Sequence, residues 1–354
     1  MVALRRIDDF QRRHTWAGMP LAVVYKFIDD QGMYLAALLA YYGFLSLFPL
    51  LLLLVSTLAL LLDNDPGLRQ QVLDSALHKF PVLGDQLREN IHTFETNGVA
   101  LATGVLGSIY GGLGVAQAAQ HALNKIWAVP RHARPNPLRA RLRGLGFIAV
   151  LAVGLVATTA LSAAASSAGS FGLRLGVASR VASALAVILL NSVLLVLAVR
   201  ILNQAEVDVR GLWRTAVGGA CAWQALQWGG AYYVRHFLNG ASTTYGMFGI
   251  VLGLLAWLYL GALVFVFTAE TGAVRAYRLW PRSLLTPFTD QVRLSRADRR
   301  AYRSYAETQV FKDSQRITVE FRNAPSAPTG TAGRPAKDAA RHDAGDKDPD
   351  GGAD

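Results

Sequence analysis

From Met33 to Leu62 the chain carries no Asp, Glu, Lys, Arg or His. At a rise of about 1.5 Å per residue, a helix of this length more than spans the ~30 Å hydrocarbon layer of a bilayer. The stretch therefore predicts a retained membrane-spanning helix. Its apolar core is too long for a signal peptide and has no small-residue cleavage site. Five further apolar runs follow at residues 97–124, 144–167, 181–199, 215–234 and 244–268, each predicting another span. Between the first two runs, Asp63-Asn-Asp-Pro-Gly67 breaks the pattern. Leu68, Val72, Ala76 and Phe80, then Leu83, Leu87, Ile91 and Phe94, recur near the helical period on either side of Pro81. They predict two short amphipathic helices outside the membrane.

The fold expected is all-α and polytopic, with six transmembrane helices in a domain over 33–280 that includes an extracytoplasmic helical cap at 63–96. Residues 1–32 mix Ile7, Phe10, Trp16, Leu21 and Val24 with arginines. From Leu4 to Tyr25 this suits an amphipathic helix on an anionic leaflet, with a frayed basic arm as the alternative before Trp16. Residues 281–322 read as a polar, basic segment with a short helix near Ser295 to Glu307 that carries Tyr302 and Tyr305. The stretch 323–354, rich in Ala, Pro, Gly and Asp, predicts disorder.

The small residues Gly104, Gly107, Gly111, Gly112 and Gly114 place the second span inside the bundle, since they let helix backbones approach closely. The Ala/Gly/Ser-rich third span is expected at packed interfaces and the Leu/Val-rich fourth nearer lipid. A hydrophobic share of 52% supports the membrane class, and the net charge of +11 raises nucleic acid as a partner. The position of that charge argues otherwise. With both termini cytoplasmic, the inner segments up to Arg282 hold 17 Lys and Arg against six outside, which is the positive-inside pattern. No nucleic-acid partner is expected. Cys221 is the only cysteine, so no intrachain disulfide can form.

Candidate chemistry lies on four spans. Tyr42, Ser46 and Pro49 share one face of the first, with Tyr41 beside them, and Pro49 should kink the helix. Gln117, Gln120, His121 and Asn124 form a polar stripe on the second at the same depth. This reads as a cytoplasm-facing cavity wall or as inter-helix hydrogen bonding. Gln224 and Gln227 lie near mid-membrane on the fifth span. Glu270 closes the uncharged run from His236 to Ala269 on the sixth. It reads first as the partner of an inner-side arginine such as Arg275 or Arg143, and alternatively as a coupling carboxylate. Arg139 and Arg143 suit topology or contact with an anionic head group. The seven histidines are scattered, and neither a zinc-ligand spacing, a Walker loop nor a nucleophile elbow is present. No enzyme, metal or cofactor is expected.

The motifs Ala37-Leu-Leu-Ala-Tyr-Tyr-Gly-Phe-Leu-Ser-Leu-Phe-Pro49, Ala122-Leu-Asn-Lys-Ile-Trp127, Tyr245-Gly-Met-Phe-Gly249, Leu255-Ala-Trp-Leu-Tyr-Leu260 and Ala269-Glu270 resemble those of the YihY/BrkB family of bacterial inner-membrane proteins. The resemblance runs from about residue 20 to 280. It implies six transmembrane helices and an inner-membrane location, and transport of envelope lipids has been proposed within the family. Family-like positions are Tyr41, Tyr42, Ser46, Pro49, Asn124, Trp127, Tyr245, Gly246, Trp257, Tyr259 and Glu270. The family's Gly-Ala-Glu appears here as Thr268-Ala-Glu270. The expectation is a transporter or lipid-translocating protein that meets membrane lipid and moves a lipid or small anionic substrate. The alternative is a non-transporting membrane scaffold or assembly factor; nuclease activity is not expected.

Overall fold

The computed structural model describes residues 8, 10–11, 14–61, 98–168, 177–205, 208–233, 239–284, 286 and 294–321. The expected cap at 63–96 and tail at 323–354 lie outside them. Among these residues there are helices and no strands: α1 (Thr15–Asp29), α2 (Gly32–Leu61), α3 (Gly98–Ile126), α4 (Pro137–Ala168), α5 (Val177–Leu202), α6 (Val209–Tyr233), α7 (Asn239–Tyr277) and α8 (Arg296–Glu307). Helices α2 to α7 form a ring in chain order. Each packs on the next, α7 returns to α2, and α3 also touches α5 and α7. Helix α1 packs against α7 and α2.

Among the described residues, three stretches are long and apolar enough to cross a membrane: Pro137–Leu161, Val181–Leu202 and Val251–Tyr277. Gly32–Leu47 is a shorter apolar helix by the same measure. Helices α3 and α6 have 29 and 25 residues. Both contain Gly and Gln, and α3 also His121, in place of a continuous apolar surface, and they join the apolar helices by packing. Helix α2 runs unbroken through Pro49.

The lipid-facing surfaces depart from the sequence expectation. On α5, Val181, Leu185, Leu189, Val193 and Leu197 form an exposed stripe four residues apart, as expected of a helix against lipid. Helix α4, expected at packed interfaces, exposes Leu142, Leu145, Leu151, Val153 and Val156. Only 17% of its apolar window is buried, against 28% for α5. The reason is position in the ring. Small side chains permit close packing but do not supply neighbours, and α4 packs mainly on α3 and α5. Such continuous apolar faces belong in a bilayer.

At the α2–α3 contact, small residues do bring backbones together. A Cβ on Gly111 would lie 2.7 Å from the Ser46 Cα, and one on Gly114 would lie 2.5 Å from the Tyr42 ring. Gly111→Ala must therefore push α2 away from α3, at about 1–3 kcal/mol for overpacking. Thermal unfolding in detergent should show the loss. Gly218→Ala, with nothing within 4 Å of its Cβ, should show none.

Three helices stop at one end of the ring with a non-glycine residue in the left-handed region: Gln31 (φ 57°), Ala128 (φ 50°) and Arg278 (φ 51°). Each conformation costs roughly 1–2 kcal/mol. After α3 and α7 the amides of Val129 and Leu279 donate back to the carbonyls of Asn124 and Val274 at 2.8 and 3.0 Å, as in a Schellman cap. At Gln31 the reversal is secured by its side chain, which accepts from Lys125 Nζ at 3.0 Å. The Tyr277 hydroxyl likewise donates to the Trp127 carbonyl at 3.1 Å.

The same end is covered by α8. Ser295 and Asp298 form a reciprocal capping box at its start. Its inner face seats Ala301 among Ala22, Val23, Val274 and Leu279, with Met19, Trp280 and Tyr305 around them. Beyond α8 the chain reaches the α3–α4 loop, where the His132 amide donates to the Val310 carbonyl at 3.2 Å and Arg131 sits 4.6 Å from the Phe311 ring centroid.

Candidate functional site

Helix α1 places Lys26 and Asp30 one turn apart, and the reversal at Gln31 holds Asp30 beside Lys26. Helix α7 packs on α1 and brings Glu270 to the same place. The Lys26 ammonium pairs with Asp30 and lies 3.3 Å from Glu270 Oε2. Lys26 is 2% exposed and Glu270 is fully buried. Neither Glu270 oxygen receives a hydrogen bond of good geometry. Burial pushes the Asp30 carboxyl above its ordinary range, with Lys26 acting against the shift. For Lys26 burial disfavours the charge, but Glu270 and Asp30 outweigh it and hold the ammonium above the usual lysine range.

A second charged cluster adjoins the first. The Arg282 guanidinium donates to Asp29 at 2.9 Å and to Asp298 at 3.0 Å. Asp298 also accepts from the Ser283 amide at 3.1 Å. Asp8 accepts from the Leu284 amide at 2.9 Å, and the Tyr25 hydroxyl donates to the Leu284 carbonyl at 3.0 Å. Tyr305 bridges the clusters: its hydroxyl donates to Asp29 at 3.2 Å and its ring centroid lies 5.9 Å from Lys26 Nζ. Burial and the Asp30 and Asp29 carboxylates push its phenol above the ordinary range. Residues near both ends of the described chain thus close over Lys26.

The partner expected for Glu270 was an arginine, Arg275 or Arg143. The partner is Lys26. Arg275 is exposed and Arg143 partly so, because the turn that brings Glu270 inward carries Arg275 to the outer face of α7. Arg139 is exposed as well. The polar stripe of α3 divides between two faces. Gln120 is buried and donates to the Ala140 carbonyl at 2.8 Å, and Asn124 is buried with its Oδ1 unpaired. Gln117 and His121 are exposed.

The parallel helices α3 and α7 touch at Trp127 and Gly272, where a Cβ would lie 3.2 Å from the indole. One turn back, Asn124 is therefore level with Ala269 and Glu270. On α2, Ser46 is buried with its hydroxyl donating to the Gly43 carbonyl at 2.9 Å, Tyr42 is half-buried, and Tyr41 is exposed. The Pro49 side chain lies outside the described set. Gln224 and Gln227 are half-buried. They fall between the Trp223–Gly261 and Gly230–Trp257 contacts of α6 with α7, whereas Glu270 lies beyond the Gly219–Thr268 contact. The structure does not bring them to Glu270.

Lys26, Asp29, Asp30, Arg282 and Asp298 were not anticipated as site residues. Lys26 and Arg282 read as topology charges, although the Lys26/Asp30 spacing of four, just ahead of an uncharged run, was a usable signal.

Searches of curated proteins and of solved structures return no match. The family model for virulence factor BrkB matches residues 23–287, which takes in α2 to α7, the C-terminal half of α1 with Lys26, and both Glu270 and Arg282. With well over half of its length covered and the expected motifs in order, the chain belongs to the BrkB virulence factor family (YihY/BrkB) and is a membrane protein.

Proposed function

We propose that this chain is a non-enzymatic transporter of the bacterial inner membrane that moves lipid or small anionic solutes. In this reading α2 to α7 all cross the bilayer, both termini are cytoplasmic, and the end bearing α1 and α8 faces the cytoplasm. The arginines of the α3–α4 connection, those in the helix ends on either side of the α5–α6 connection (Arg200, Arg210 and Arg214) and those of the α7 end support that orientation.

The observation that carries the reading is the burial of Glu270 and Lys26 at the level of Asn124, whose oxygen is unpaired. A buried ion pair is a poor stabiliser compared with apolar packing. Ionisable groups inside a helical membrane bundle characteristically mark a pathway for substrate or ion. His121, about one turn from Asn124, and Gln117, about two turns from it, supply accessible polar groups on α3.

Reconstitution into liposomes with fluorescent anionic phospholipids and labelled organic anions tests the proposal. Movement of at least one probe should exceed that seen with Glu270→Gln and Gln117→Leu by several-fold. Equal rates for the wild-type chain and both variants, with all three folded, would remove it.

A further inference from the structure

The Lys26 cluster contains one ammonium and two carboxyl groups, all almost fully enclosed: side-chain exposure is 2% for Lys26, 4% for Asp30 and 0% for Glu270. With every group ionised the cluster would carry one uncompensated negative charge away from water. A buried, uncompensated charge is costly, and such groups characteristically neutralise by taking up a proton.

Among the described residues no cation besides Lys26 forms an ion pair with either carboxyl group, and Lys125 favours the Asp30 carboxylate only from a distance. From α3, Lys125 points to Gln31 Oε1. From α8, Tyr305 contributes a phenol, and from α7, Tyr277 has its hydroxyl committed to the Trp127 carbonyl. The Arg282 guanidinium next door is taken by Asp29 and Asp298. Glu270 Oε2 faces the Lys26 ammonium at 3.3 Å, and the buried Oε1 has no donor, which leaves it open to a proton. We propose that Lys26, Asp30 and Glu270 form a binding site for one exchangeable proton, held between the two carboxyl groups, which leaves the buried cluster neutral near neutral pH.

The proposal makes a count. The wild-type cluster holds one protonated carboxyl. Asp30→Asn and Glu270→Gln each leave one ammonium facing one carboxylate, neutral without the extra proton. Both substitutions are nearly isosteric and keep Lys26 paired, so the fold should survive. Infrared spectroscopy of the purified full chain in lipid at about pH 7 should show a protonated-carboxyl stretch that shifts in deuterated water and is missing from both variants. Its absence from the wild-type chain, or its persistence in either variant, would overturn the proposal.

Stability gives a second reading. The folded chain then binds one more proton here than the unfolded chain. Stability through this site is therefore full below the ordinary carboxylate range and declines as pH rises and the shared proton leaves. The unfolding midpoint should fall with rising pH more steeply in the wild-type chain than in either variant; equal slopes would count against the site. Neither measurement involves transport, so a failed proton count leaves the transport reading standing, and a failed flux leaves the count standing.

Discussion

Replacing Lys26 by Met should be among the most damaging single changes in the described chain. It would lower stability by about 3–5 kcal/mol, the range for removing one partner of a buried ion pair. The ammonium is the only cation paired with Asp30 and Glu270 among the described residues. Without it, two carboxyl groups are left enclosed with nothing to balance them. Because the groups left behind are acids, the loss should grow with pH: at acid pH both carboxyls protonate and the cost shrinks. The triple variant Lys26→Met, Asp30→Asn, Glu270→Gln removes every charge at once and should recover most of the loss. Unfolding followed by circular dichroism in detergent at two pH values reads both effects. A single variant as stable as the wild-type chain at neutral pH would show that the pairing carries no weight.

Arg282→Ala comes next, with a cost of about the same ~3–5 kcal/mol but a local expression. Arg282 is 2% exposed, lies within 6.0 Å of the Tyr25 ring centroid and 5.7 Å of that of Tyr302, and joins Asp29 of α1 to Asp298 of α8. Its removal abandons Asp298, which is fully buried, at the point where α8 is capped. The expected outcome is release of α8 from α1 while the ring of α2 to α7 keeps its helicity. Trypsin should then cleave at the arginines of α8 far faster than in the wild-type chain. Arg282→Lys keeps the charge but loses the planar fork that serves two carboxylates, so its cleavage rate should fall between the two. Unchanged proteolysis in Arg282→Ala would mean that α8 is held by its apolar contacts alone.

Much of the architecture was legible along the chain because it is written in local terms. Uncharged runs and breaker residues locate the helices, and the face of α2 bearing Tyr42 and Ser46 is a matter of spacing. Ser295 to Glu307 reads as a helix from its composition, and its capping box stands in the sequence. The family motifs are likewise strings of neighbours. What stayed hidden depends on which helices meet. Gln117, Gln120, His121 and Asn124 lie within two turns, yet only Gln120 and Asn124 are buried, because α3 is enclosed by α2, α4 and α7 on some sides and open on another. The exposure of α4 followed from its place in the ring and not from its small residues.

Glu270 joins the two levels. By itself the sequence determined that a carboxylate ends an uncharged run on a long helix, a placement that demands a partner, since an isolated charge there is too costly to keep. Which partner answers was a tertiary matter. Arg275 is nearer along the chain but points outward on the same helix, whereas Lys26 is delivered by α1 packing on α7 and by the left-handed turn at Gln31. The pairing of a residue near one end of the chain with one near the other is set by helix packing, which the local pattern of apolar and polar positions does not encode.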